Sequence, residues 1–226
     1  MQSNETATKV NTFMAVSLSL IPSFCINLDR RTDRWSEFGE ESARVGFRSH
    51  RVSAVERAER PAVGLSGPDA CLESHRKVWG MALPLQAPVV AVFEDDATFP
   101  SDFHDIFEYA FSELPKDWKI WHLHSFGPGQ KFDMVGKYIT RLKKAGWGSH
   151  GYLIKKDFAK ELLDLSDHVR NMPVDVLLTS GMRYLGVNPY GVALEKTLCI
   201  QSANDSDIPE STQKRYWSAV KSLYTR

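Results

Sequence analysis

The chain has 226 residues, and at roughly 150 residues per domain that is one domain with extensions. With 42% hydrophobic and 25% charged residues it is not a largely disordered chain, which would lack the apolar surface to offset its ordering entropy. Lys+Arg and Asp+Glu are 28 each, so no net basic field is available for nucleic acid or an anionic membrane, and a phosphate-bearing ligand has to be met by a local patch.

Residues 1–12 read as a loose leader, and residues 13–226 as a single domain. Val10–Leu28 is uncharged and Phe13–Ile21 is apolar, but the run is too short to span a bilayer, and Ser17, Ser19, Pro22 and Ser23 interrupt it. No small-residue cleavage site follows, which argues against a signal peptide. The cysteines Cys25, Cys71 and Cys199 are odd in number and form no C-x-x-C pair, so the expectation is buried thiols in a reducing, cytoplasmic compartment.

Ser23–Leu28 is an apolar run ended by a charged turn, a buried strand, after which Thr32 is placed to cap a helix carrying Trp35, Phe38 and Val45. Phe47–Val55 reads as a strand with a loop, and 60–69 as a Gly/Pro loop. Asp69 is expected to cap a helix through Cys71, His75, Val78, Trp79 and Met81, which Pro84 stops. Pro88–Phe93 is apolar throughout, as in a strand covered on both faces. A helix over Ser101–Leu114, a strand over Trp118–Leu123, a strand over Gly151–Ile154 and a helix over Lys156–Leu165 follow. Between them, Phe126–Gly148 is rich in Gly and in basic residues, including Lys131, Lys137, Arg141, Lys143 and Lys144, and reads as a mobile lid. A helix over Val174–Leu185, short strands over Val187–Ile200 and a polar tail with a final basic helix complete the chain. Strands alternating with helices give an α/β class domain, a central mostly parallel sheet flanked by helices.

Glu94-Asp95-Asp96 directly after the best strand is the informative cluster. Three adjacent carboxylates repel one another unless something screens them, and this one sits where open α/β sheets bind ligands. Residues i and i+2 of an extended segment face the same way, so Glu94 and Asp96 can share one hard cation, Mg²⁺ or Mn²⁺, while Asp95 turns elsewhere, for instance to a ribose hydroxyl. The competing reading is a solvated acidic turn. Asn27 through Arg34 also follows a buried strand, and its arginines are natural phosphate partners or, equally, surface ion pairs. His122 and His124 fall on one strand face, yet no third ligand is near them in sequence, which favours a structural reading. Asp175 heads an apolar helix, as a cap or as a base aimed into a cleft.

Taken in order, Asn27-Leu28-Asp29-Arg30-Arg31-Thr32-Asp33-Arg34, Gly67 with Cys71, Ser74-His75 and Trp79, Val92-Phe93-Glu94-Asp95-Asp96-Ala97, Gly151-Tyr152-Leu153-Ile154 with Ala159 and Leu162-Leu163, and Pro173-Val174-Asp175 resemble glycosyltransferase family 25, the bacterial lipooligosaccharide galactosyltransferases and their relatives in collagen galactosylation. The resemblance runs from about Phe24 to Ile208. It departs from the family at Pro68-Asp69-Ala70 and at Glu73.

The resemblance implies a GT-A-like nucleotide-sugar fold and inverting transfer of a hexose, galactose favoured, from a UDP-sugar to a hydroxyl of a glycan or glycoconjugate acceptor. It implies Mn²⁺ or Mg²⁺ at Glu94 and Asp96. The nucleotide side would use Asn27, Leu28, Arg30, Arg34, Ser74, His75 and Asp95. The proton acceptor would be Asp175, with Asp95 the alternative. No nucleic acid and no integral span are expected, and peripheral membrane association stays open. The alternatives are a degenerate sugar-nucleotide-binding domain and a carboxylate–metal phosphotransferase.

Overall fold

The computed structural model describes residues 17–57, 65–125, 131–143, 148–168, 172–181 and 185–202. The expected leader and final basic helix lie outside them. A single helical turn, Leu18–Leu20, leads into β1 (Ser23–Asn27), α1 (Thr32–Arg44), β2 (His50–Ser53), α2 (Gly67–Ala82), β3 (Val89–Glu94) and β4 (Ala97–Thr98). After these come α3 (Phe103–Ser112), β5 (Ile120–His122), β6 (Phe132–Met134), β7 (Ile139–Leu142), β8 (Gly151–Lys155) and α4 (Lys156–Ser166). The described chain ends with a helical segment from α5 (Val174–Val176) through Leu177–Gly181, then β9 (Tyr190–Val192) and β10 (Ile200–Gln201).

Among the described residues, eight strands form one sheet in the order β2-β1-β3-β8-β5-β9-β7-β6. β1 runs parallel to β2 and β3, and β5 parallel to β9, while β8 is antiparallel to both its neighbours and β7 to both of its own, so the sheet is mixed. The unbroken apolar runs are explained by cover on both faces. Side chains alternate along a strand: on β3, Ala91 and Phe93 enter one core with Phe38, Phe47, Phe99, Phe103 and Phe107, whereas Val90 and Val92 enter the other with Val78, Trp79, Phe158 and Leu162. The first core lies under α1 and α3, the second under α2 and α4. No helix among the described residues is long and apolar enough to cross a membrane.

Three local expectations are corrected. Thr32 is not the cap of α1; it is already the first helical residue, after Arg31, whose side chain makes no capping bond. α2 is capped by Ser66 rather than Asp69: Ser66 Oγ accepts from Asp69 N–H at 3.3 Å and donates to the Asp69 carboxylate, a reciprocal pair three residues apart with Pro68 in the first turn. The third concerns the basic Gly-rich segment expected to be a lid. Most of its described part, residues 131–143, is the β6–β7 hairpin at the sheet edge, four to five strand spacings from β3, or about 19–24 Å, while its last residue, Gly148, lies against His124 and His150. In the hairpin Arg141 and Lys143 pair with Asp133, and Lys137 lies over the Tyr109 and Tyr138 rings. Residues 126–130 and 144–147 lie outside the described residues, as do 182–184 of the expected helix over Val174–Leu185, whose described part ends at Gly181.

His122 on β5 is fully buried beside His124, with ring centroids 5.2 Å apart, and the His150 ring lies 4.6 Å from that of His124. Burial drives His122 from 6.5 down to about 3, helped by the charge of His150 and opposed by the backbone of Leu178. The unfolded chain therefore takes up this proton first as pH falls. The stability contributed by the neutral ring is complete above pH 6.5 and is lost on the way down to about pH 3, at up to about 1.4 kcal/mol per pH unit. Urea midpoints between pH 7 and 4 should fall less steeply in His122→Asn than in the wild type; equal slopes would remove His122 as the source.

Candidate active site

From β1 the chain passes through α1 to β2 on one side, and α2 returns it to β3 on the other. The loops leaving β1 and β3 therefore diverge, and such a reversal of strand order opens a crevice at the carboxyl ends of the strands. A cavity of about 160 Å³ lies there. Leu28, Arg30 and Arg34 line it from the β1 side, Cys71, Ser74 and His75 from α2, and Glu94, Asp95 and Asp96 from the end of β3. Positions 71, 74 and 75 face it together because residues three and four apart share a helix face. Gln201 of β10 closes one wall.

Asn27 sits behind this wall as a fully buried organiser. Its Nδ2 donates to Asp95 Oδ2 at 2.6 Å and to the Arg31 carbonyl at 2.9 Å, and its Oδ1 accepts from Arg51 Nε at 2.8 Å. The other Asp95 oxygen accepts from Arg34 Nη1 at 3.3 Å. Both Asp95 oxygens thus already accept a hydrogen bond within the protein, on a side chain that still lines the cavity. Burial raises its pKa although Asn27 and Arg34 oppose the shift. Arg30, at the rim, pairs with Glu56 at 3.3 Å. Ser74 Oγ donates to the Ala70 carbonyl and accepts the Val55 N–H at 2.8 Å, so it ties α2 to the loop after β2.

Glu94 and Asp96 carry the unresolved charge. Asp96 Oδ2 accepts from Gln201 Nε2 at 2.8 Å, but its Oδ1 is buried with no hydrogen-bond partner. Burial and the nearby Glu94 push Asp96 up to about 7 against the pull of Gln201. Glu94 accepts from Ser149 Oγ and faces His75 Nε2 at 3.4 Å. Burial would raise it, but His75 and Ser149 outweigh that cost and hold it below its usual range. A buried oxygen without a donor beside a second carboxylate is the arrangement that a hard cation completes, so the residues fit Mg²⁺ or Mn²⁺.

Behind Glu94 runs a directed chain of donors. The Trp79 indole can only donate, and does so to the Tyr152 oxygen at 2.9 Å. The Tyr152 hydroxyl in turn meets His75 Nδ1 at 2.8 Å. Counting donors assigns the His75 proton to Nε2, toward Glu94. Gly151 on β8 permits the close approach of the late chain, since a Cβ there would lie 2.5 Å from Cys199 Sγ. That approach carries Gln201 to Asp96.

Asp175 is not in the lining of the cavity. It lies half-buried in the first turn of α5, accepts its neighbour's N–H from Val176 at 2.8 Å, and its charge is felt by Cys71. The sequence reading missed Cys71, Gln201, Ser149 and Tyr152 as site residues. Cys71 had a signal, its i, i+4 spacing from His75; Gln201 and Ser149 had none. His122 and His124 belong to no convergent ligand set; among the described residues that set is Cys71, His75 and Glu94.

No curated protein matches the chain. Among solved structures, a glycosyltransferase involved in the glycosylation of the major capsid of PBCV-1 shares 7% identity, covers 82% of this chain and 94% of its own, and has a TM-score of 0.50, a likeness of fold. A197 from STIV shares 12% identity over 82% of this chain and 95% of its own at a TM-score of 0.42, too low to carry an argument. The sequence profile of glycosyltransferase family 25 (LPS biosynthesis protein) matches residues 20–178, well over half of the chain and the stretch that supplies every strand and helix of the cleft except β10. The protein with this acidic cleft is therefore a glycosyltransferase and belongs to glycosyltransferase family 25.

Proposed function

We propose that the chain is a metal-dependent, inverting glycosyltransferase of GT-A type that moves a hexose, galactose by preference, from a UDP-sugar to a hydroxyl of a glycan acceptor in a reducing compartment. The observation that carries this reading is the buried, partnerless Asp96 Oδ1 beside Glu94 at the switch point of the sheet. A divalent cation held by Glu94 and Asp96 supplies charge stabilisation to the departing nucleoside diphosphate. Arg30 sits at the rim with its guanidinium directed by Glu56, positioned to donate to phosphate oxygens. Leu28 and the loop after β2, held by Ser74, line the nucleotide side. Asn27, Arg34 and Arg51 fix Asp95 and through it the acidic turn, so that Glu94 and Asp96 keep their places without reorganising as charge develops. Asp175, on a different element, accepts the proton of the acceptor hydroxyl from the sugar face opposite the diphosphate.

A panel of UDP-, GDP- and dTDP-sugars scored by thermal stabilisation tests the reading. At a hundredfold excess over Kd a bound donor adds about 2.7 kcal/mol, which raises the Tm of a domain of this size by about 5–10 °C. The expected result is such a shift with UDP-hexoses in Mn²⁺ and none in EDTA. No shift with any donor, or the same shift in EDTA, would overturn it.

A further inference from the structure

We propose that Cys71 Sγ, His75 Nε2 and Glu94 form a second, softer cation site that binds Zn²⁺ and draws on the same Glu94 as the hard-cation pair. The inference rests on the reading of Glu94 as a cation ligand and adds a metal of another class. One ligand atom from each of the three residues lies within 4.8 Å of the others, and His75 Nε2 and Glu94 Oε1 are already 3.4 Å apart. Bonds of about 2.3 Å to sulfur and about 2.0 Å to nitrogen or oxygen put tetrahedral ligand atoms roughly 3.3–3.5 Å apart, so closure needs about 1 Å of side-chain movement.

The donor set decides the metal. A thiol, an imidazole and a carboxylate suit a borderline-soft ion, whereas Mg²⁺ takes oxygens alone. Three protein ligands leave the fourth position open, toward the cavity that all three residues line. His75 is fully buried, and its Nε2 makes no well-formed hydrogen bond, meeting Glu94 Oε1 at 3.4 Å within the ligand set. Its Nδ1 is held by Tyr152, which is in turn held by Trp79, the outer support that orients a metal-binding histidine. On binding, the Cys71 proton passes to solvent as the sulfur–metal bond forms, and the His75 proton shifts to Nδ1 and donates to the Tyr152 oxygen, which frees the Nε2 lone pair.

Co²⁺ serves as the optical probe and Zn²⁺ as its competitor. The full chain with one equivalent of Co²⁺ should show a thiolate-to-metal charge-transfer band in the near ultraviolet, erased by one equivalent of Zn²⁺. Cys71→Ser should abolish the band, and Tyr152→Phe should weaken Zn²⁺ binding about 10–100-fold. If Cys71→Ser does not fold, peptide mapping of the wild type gives the answer: Zn²⁺ should protect Cys71 from iodoacetamide, and Mn²⁺ should not. Absence of the band, its persistence in Cys71→Ser, or unprotected Cys71 would overturn the proposal. A band retained in Asp96→Asn, together with lost Mn²⁺ binding, supports two sites sharing Glu94. Mn²⁺ binding that survives Asp96→Asn while the band behaves as expected sinks the hard-cation reading and leaves the zinc site standing.

Discussion

Asp96→Asn is expected to eliminate cation-dependent donor binding while leaving the fold intact. Asp96 Oδ1 is buried without a partner, and its carboxyl is pushed up to about 7 by burial and by Glu94. The asparagine keeps the size of the side chain and an oxygen for the Gln201 amide, so the bond that joins β10 to the acidic turn survives. Removing one charge also relieves the repulsion with Glu94, and the Tm should not fall. Cation affinity behaves differently. Loss of even an outer-shell partner costs a metal site 10–100-fold, so losing a ligand should weaken Mn²⁺ by about 100-fold or more in calorimetric titration. Undiminished Mn²⁺ binding in the variant, or full activity of the wild type in EDTA, would remove Asp96 from the site.

The second large effect is expected at Asp175. Asp175→Asn preserves size and the acceptor for the Val176 N–H, so α5 should keep its first turn. Asp175 is absent from the cavity lining, and donor affinity should accordingly change little. Turnover should fall by roughly 10²–10⁴, the contribution of a positioned proton acceptor. A variant that loses donor binding and turnover together would mean that Asp175 holds the nucleotide side, and near-normal transfer would mean that it holds neither. Asp95→Asn gives the contrast. It takes the counter-charge from the buried Arg34, so its loss should appear first as a lowered Tm.

Glu94 stands between Asp96, an oxygen-only neighbour, and the Cys71–His75 face of α2. The Trp79–Tyr152–His75 chain holds that face of α2 in place.

The sequence by itself determined the elements that bury one continuous apolar run, and the acidic turn. Pro88–Phe93 had no polar alternation, which forces cover on both faces, and the next three residues had nowhere to go but the strand's carboxyl end. The ordered motifs, from Asn27 to Asp175, named the family for the same reason: each is local and keeps its own spacing. Local rules failed where two signals competed within three residues, as at Ser66 and Asp69, where the reciprocal pair makes the earlier residue the cap. They failed more deeply across the sheet. Lys137, Arg141 and Lys143 read as part of a lid because charge is visible in sequence and position is not; the strand order sends their hairpin to the far edge, where two of them pair with Asp133. The carboxylates of Glu94, Asp95 and Asp96 were adjacent in sequence, yet only packing against Asn27, Arg34, Gln201 and His75 gave them three different environments, one with both oxygens engaged, one with a single oxygen left unpaired and one beside an imidazole. Those partners lie up to 105 residues away. Long-range contacts of that kind leave no periodicity, so tertiary structure alone decided which carboxylate oxygen is buried without a donor.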